Sequence, residues 1–229
     1  MIEAEWWDYD SPDEMAEAVA GDIGFIVESA LDARAAALIA LPADDIARVI
    51  FPRLADASLQ WKQVMIIPTD DRIVAVDDER SKARALAQAF LPKGARVVPI
   101  VTPLDDYRLA GNSADARLQD LPWPPDLVWL SVGDDGSAAG IVTGPDLQDA
   151  LDAPKARRAV GTKPEDGGEA RVTLTRASIL SARTLLITLQ GQDKRDMVEG
   201  AIADGQSSRL PIGRVLAEAE QPIDIHWCP

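Results

Sequence analysis

Apolar runs of strand length alternate with segments of helical period along the chain, and no break in composition divides it. Together these predict an α/β protein: a mainly parallel, doubly wound sheet with helices on both faces, in a single domain over residues 1–229. An apolar share of 47% over 229 residues supplies a sizeable core and argues against wholesale disorder.

The elements follow in order. Residues 2–9 read as a first strand or extended lead-in. Ser11-Pro12-Asp13-Glu14 has the form of a capping box with proline at the first helical position. Val19, Ile23, Ile26, Ala30 and Leu31 then recur at helical spacing. Residues 36–41 form a continuous apolar run stopped by Pro42. A helix over about 45–54 carries Ile46, Val49 and Ile50 on one face. The cycle repeats as a buried strand at 63–67, a mostly charged loop, a helix at 81–91 and a strand at 96–101. Residues 102–125 are polar and less regular. A buried strand at 126–132 leads into the turn Gly133-Asp134-Asp135-Gly136, read as a candidate lead into a helix. A polar loop at 161–168 precedes a strand at 172–174, a helix at 176–182, a strand at 184–190, a helix at 193–203 and a last strand at 223–227.

Charge and rare residues exclude several functions. Thirty-eight acidic against 23 basic residues give a formal charge of −15, which would repel a nucleic acid. One cysteine, Cys228, cannot form an intramolecular disulfide framework or a cysteine zinc cluster. One histidine, His226, cannot form a paired-histidine metal motif. The amino-terminal residues are acidic and lack a basic stretch followed by an apolar one, and no apolar run approaches the roughly 20 residues a membrane helix needs. The expectation is a cytoplasmic protein, a monomer or weak dimer, without nucleic-acid or membrane partners and without a cofactor or bound metal. Trp6-Trp7, the 155–158 basic cluster and Cys228 are read as structural or solvated.

Three apolar strands end in aspartate pairs: Asp44-Asp45, Asp70-Asp71 and Asp134-Asp135. In open parallel sheets ligands bind beyond the carboxyl ends of the strands. If the three strands are neighbours, up to six carboxylates face one crevice, an oxygen-rich surrounding suited to Mg²⁺ or Ca²⁺. Against this, Asp44 and Asp45 precede a helix, where aspartate is a favoured N-cap. The turn at 133–136 lacks the spacing of a calcium loop, a dinucleotide fingerprint or a P-loop.

Several blocks carry a resemblance: Thr69-Asp70-Asp71-Arg72, Arg80-Ser81-Lys82-Ala83-Arg84, Gly133-Asp-Asp135-Gly136-Ser137, Arg171-Val-Thr-Leu-Thr175, Ala182-Arg183 and Gly191-x-x-Lys194. In this order, over nearly the whole chain, they resemble the 6-phosphogluconolactonase family, within the fold class of glucosamine-6-phosphate deaminases and ribose-5-phosphate isomerases. The resemblance implies hydrolysis of 6-phosphoglucono-1,5-lactone to 6-phosphogluconate in the pentose phosphate pathway, with a sugar phosphate or lactone as partner. It places the family's catalytic His on Ser137, its phosphate loop on Ala43-Asp44-Asp45-Ile46, and an Asn on Lys82. Arg72, Arg84, Arg171 and Lys194 fall on family positions that can hold substrate or phosphate. A serine is no useful base at neutral pH, so Asp135 or Asp70 is the candidate substitute. A carboxylate about 4 Å from a phosphate charge costs on the order of 4 kcal/mol at an effective dielectric near 20. The four cations are therefore expected to pair with the added carboxylates, and activity to be weak or lost. The competing expectations are a non-catalytic binding or assembly protein, and a protein of altered sugar or metal specificity built on Asp44, Asp45, Asp70 and Asp135.

Overall fold

The computed structural model describes residues 3–229; Met1 and Ile2, the start of the expected lead-in, lie outside the described residues. The chain runs β1 (Ala4–Asp8), α1 (Pro12–Arg34), β2 (Ala37–Leu41), α2 (Asp45–Ala55), β3 (Val64–Pro68), β4 (Asp70–Arg72), α3 (Lys82–Phe90), β5 (Arg96–Val97), α4 (Tyr107–Leu118) and β6 (Leu127–Leu130). It continues α5 (Leu147–Leu151), β7 (Ala159–Thr162), β8 (Arg171–Leu174), α6 (Arg176–Leu180), β9 (Thr184–Gln190), α7 (Gln192–Asp204), α8 (Pro211–Leu216) and β10 (Ile223–Cys228).

Seven strands form one sheet in the order β1-β10-β9-β6-β2-β3-β5, with neighbours parallel throughout. The strands are apolar because both faces are covered. In β2, Ala37, Ile39 and Leu41 pack into the layer with α1, α2 and α3, whereas Leu38 and Ala40 point into the opposite layer with α4, α7 and α8. The parallel, doubly wound sheet is thus as expected. A small antiparallel sheet, β4-β8-β7, stands beside it. Among the described residues no helix is long and apolar enough to cross a membrane.

Local chemistry starts the helices where the sequence suggests. The Ser11 hydroxyl accepts the Glu14 amide at 3.2 Å, the Glu14 carboxylate accepts the Asp10 amide at 3.0 Å, and Pro12 opens α1. Ser81 caps α3 in the same way, through the Arg84 amide at 3.3 Å.

Four expectations need correction. Val49 is 53% exposed, and the buried face of α2 is instead Ala47, Ile50, Phe51 and Leu54. Only Arg96–Val97 of the expected 96–101 strand joins the sheet, although the Val98 amide still reaches the Ile66 carbonyl at 2.9 Å; Pro99 has no amide to continue the ladder. The irregular 102–125 stretch contains α4, capped by the Asp106 carboxylate on the Arg108 amide at 2.8 Å. The turn at 133–136 leads into a loop rather than a helix, and the next helix is the five-residue α5.

Helix α4 escaped the periodicity reading because its buried face is Ala110, Gly111, Ala114 and Leu118, mostly too small to give an apolar signal. Small residues are what its packing on β7 requires. A Cβ on Gly111 would lie 2.1 Å from the Gly161 nitrogen, and one on Gly161 would lie 2.0 Å from the Tyr107 carbonyl oxygen. Backbone meets backbone there, so the neighbours cannot yield cheaply.

The single histidine is a core residue of β10. His226 is 1% exposed, stacks on Tyr9 with ring centroids 5.8 Å apart, and has its Nδ1 2.9 Å from the Tyr9 hydroxyl. Burial lowers its pKa from 6.5 to about 4, so the fold holds a neutral imidazole.

Two outcomes are expected. Gly161→Ala should lower stability by about 1–3 kcal/mol or more, read as a fall in the urea midpoint. The His226 contribution should be complete above pH 6.5, decline as pH falls, and be exhausted near pH 4, because the unfolded chain takes up the proton first. Melting curves across that range should show the decline, and His226→Gln should flatten it.

Candidate active site

Strands β6, β2 and β3 are neighbours, so the ends that carry the three aspartate pairs do converge. Beyond them opens a cavity of about 640 Å³. Asp44, Asp45, Asp70, Asp134 and Asp135 line it; Asp71 does not. The Asp71 carboxylate turns to α3, accepting the amides of Lys82 at 2.7 Å and Ala83 at 2.9 Å and the Ser81 hydroxyl at 3.1 Å.

Asp44 is the N-cap of α2: its Oδ1 accepts the Ala47 amide at 2.8 Å. Burial pushes its carboxyl above the ordinary range, against the Ala47 amide and the nearby Lys82 and Lys194 charges, with Asp70 adding to the rise. Asp45 stands exposed on the first turn. The capping role read for this pair therefore falls to Asp44.

Asp70 is the most buried member, at 1% exposure. Lys82 Nζ lies 2.6 Å from its Oδ1, and Arg171 Nη1 lies 3.1 Å from its Oδ2. Burial alone would raise this carboxyl, but the two cations outweigh it and hold the pKa below the ordinary value. Asp70 is thereby committed as an ionised partner of both. The β4–β8 register, with Arg72 opposite Arg171, brings Arg171 to this position.

The 133–140 loop closes another wall. The Gly133 amide donates to the Ser137 carbonyl at 2.9 Å, and the Ser137 amide donates to Asp135 Oδ1 at 3.0 Å. Burial raises the Asp135 carboxyl, but hydrogen bonds from the Ser137 hydroxyl and amide, its own amide and the Arg171 charge bring it below the ordinary range. Its exposed carboxylate and the Ser137 hydroxyl both line the cavity. Ala139 sits in the left-handed region at φ 48°, and its carbonyl accepts the Thr173 hydroxyl. At Gly140, φ 79°, a Cβ would lie 2.7 Å from that of Asp70, so only glycine lets the loop approach so closely.

Of the four cations singled out in the sequence, two reach the cavity. Arg171 does so beside Asp70. Lys194 donates to the Val132 carbonyl at 2.6 Å and pairs with Asp134 at 3.1 Å. Arg72 binds Glu169 at 2.8 Å and the Arg80 carbonyl at 3.0 Å, and Arg84 donates to the Asp77 carbonyl at 2.6 Å; neither lines the cavity. None of the four pairs with Asp44 or Asp45, the carboxylates added in the phosphate loop: Arg72 holds Glu169, Arg171 holds Asp70, Lys194 holds Asp134, and Arg84 uses a backbone carbonyl. Sequence reasoning missed Lys82 as a site residue. The signal was present, as a cation at a position where the resemblance has a neutral Asn. It also missed Asp166 and Glu169, which the loop after β7 brings to the rim.

The lining thus holds seven carboxylates and three cations. Among the described residues, no group of three or more His, Cys, Asp or Glu side chains is arranged to hold a metal ion. Asp44 is taken up as a helix cap, and Asp70, Asp134 and Glu169 are held in ion pairs.

Comparison with known proteins gives concordant results. The family described as glucosamine-6-phosphate isomerases/6-phosphogluconolactonase matches residues 10–227. A 6-phosphogluconolactonase of Rhizobium meliloti is 31% identical over 225 residues, covering 96% of this chain and 97% of that protein. One from Mesorhizobium japonicum is 32% identical over 228 residues, covering 98% and 95%. The crystal structure of a 6-phosphogluconolactonase from Shewanella baltica superposes with a TM-score of 0.92 at 25% identity, over 99% of this chain and 98% of that one.

The Asp70 arrangement makes a stability prediction. Asp70→Asn leaves Lys82 and Arg171 without their shared anion and should cost about 3 kcal/mol, measured by urea unfolding.

Proposed function

Since this chain belongs to the glucosamine-6-phosphate isomerase/6-phosphogluconolactonase family, we propose that it hydrolyses 6-phosphoglucono-1,5-lactone to 6-phosphogluconate. The observation that carries the reading is the position of Asp135, Ser137, Arg171 and Lys194 around one cavity at the carboxyl ends of the parallel strands.

The reaction needs a base for water, positive charge near the developing oxyanion, and a proton for the leaving oxygen. Asp135 takes the proton from the attacking water as its oxygen bonds to C1. Ser137 orients Asp135 through its amide, 3.0 Å from Oδ1. Arg171 and Lys194 supply charge for the tetrahedral oxyanion. When the C1–O5 bond breaks, the proton held by Asp135 passes to O5, which leaves as the C5 hydroxyl. Asp70 acts as a positioning residue, aligning Lys82 and Arg171. Because the Asp135 carboxyl is held below its ordinary pKa, it is a weak base, and the reaction is slower than with an imidazole. A phosphorylated substrate does not cross a bilayer unaided, which supports a cytoplasmic enzyme.

The test is hydrolysis of freshly made 6-phosphogluconolactone with the spontaneous rate subtracted. Wild type should exceed background, Asp135→Asn should lose about 10²-fold or more, and Ser137→His should gain. Wild type and Ser137→His both at background would sink the reading.

A further inference from the structure

The charges on the cavity wall bear on which lactones enter. Helix α2, eleven residues long, points its amino terminus at the cavity. Such a terminus is a seat for an external anion. Here the chain fills it with its own carboxylate, because Asp44 accepts the Ala47 amide at 2.8 Å and Asp45 stands on the next position. Each cation of the wall also has a carboxylate partner already: Lys82 and Arg171 share Asp70, and Lys194 holds Asp134. With seven carboxylates against three cations, the lining has four negative charges in excess. A phosphate dianion entering this cavity shares each cation with the carboxylate already paired to it, and meets repulsion from the wall. The lactone ring carries no charge, and the carboxylates of the wall are acceptors for its hydroxyls.

We propose that this chain does not select for the phosphate group, and that unphosphorylated aldono-1,5-lactones are substrates with a kcat/KM within about tenfold of the phosphorylated one. The inference rests on the lactonase reading above. The bond changes are the same: water oxygen bonds to C1, the C1–O5 bond breaks, and O5 leaves as the C5 hydroxyl.

The experiment compares purified protein on glucono-1,5-lactone and on 6-phosphogluconolactone, each corrected for spontaneous hydrolysis. A ratio within about tenfold is expected, and a larger preference for the phosphorylated lactone overturns the proposal. If neither is turned over, the lactonase reading fails by itself, and calorimetry with gluconate and 6-phosphogluconate decides the specificity. Comparable dissociation constants uphold indifference to phosphate. Binding of 6-phosphogluconate more than about tenfold tighter, or no binding of either, overturns it. Asp44→Ser identifies the cause, since serine is as good an N-cap as aspartate and the helix is kept. It should raise activity or affinity toward the phosphorylated compound about tenfold and leave the other within about threefold. An equal change on both would remove Asp44 from the explanation.

Discussion

A carboxylate withdrawn from water must be matched by cations, and the cavity is organised around that demand at Asp70. Its two oxygens are taken by different residues from different elements: Lys82 at the start of α3 and Arg171 at the start of β8. The ion triad therefore fixes the small antiparallel sheet relative to the helix layer, at the end of the strand series where the cavity opens. It also sets the reach of the two side chains that bring positive charge to the wall. Gly140 completes the arrangement, because a side chain there would collide with Asp70 itself.

What the sequence reveals depends on how each element meets its neighbours. Strands buried on both faces announce themselves as unbroken apolar runs, so β2, β3, β6 and β9 were legible. Helix α4 was not, because its contact with β7 is made by Gly111 and Gly161 and leaves no periodic apolar stripe. The antiparallel sheet was half legible. The 172–174 segment reads as a strand, but its partners, 70–72 and 159–162, are short, and the first is polar.

The site divides in the same way. Aspartates that follow strands are visible as a pattern, and their convergence follows once β6, β2 and β3 are known to be adjacent. Pairing is not visible, because Lys82 and Asp70 are twelve positions apart and Arg171 is 101 from Asp70. The separation of Asp70 from Asp71 was equally hidden. Adjacent residues on a strand face opposite sides, so one carboxylate meets the cavity and the other caps α3.

The solitary imidazole also has a use. His226 sits in the β10 core beside Tyr9 and does not line the cavity. Because the chain has no second histidine, its ring signals in a proton resonance spectrum come from one place only. They form a built-in reporter of the sheet's integrity. A ligand that fills the cavity and leaves these lines in place has bound without disturbing the scaffold; one that moves them has changed the packing between β1, α1 and β10.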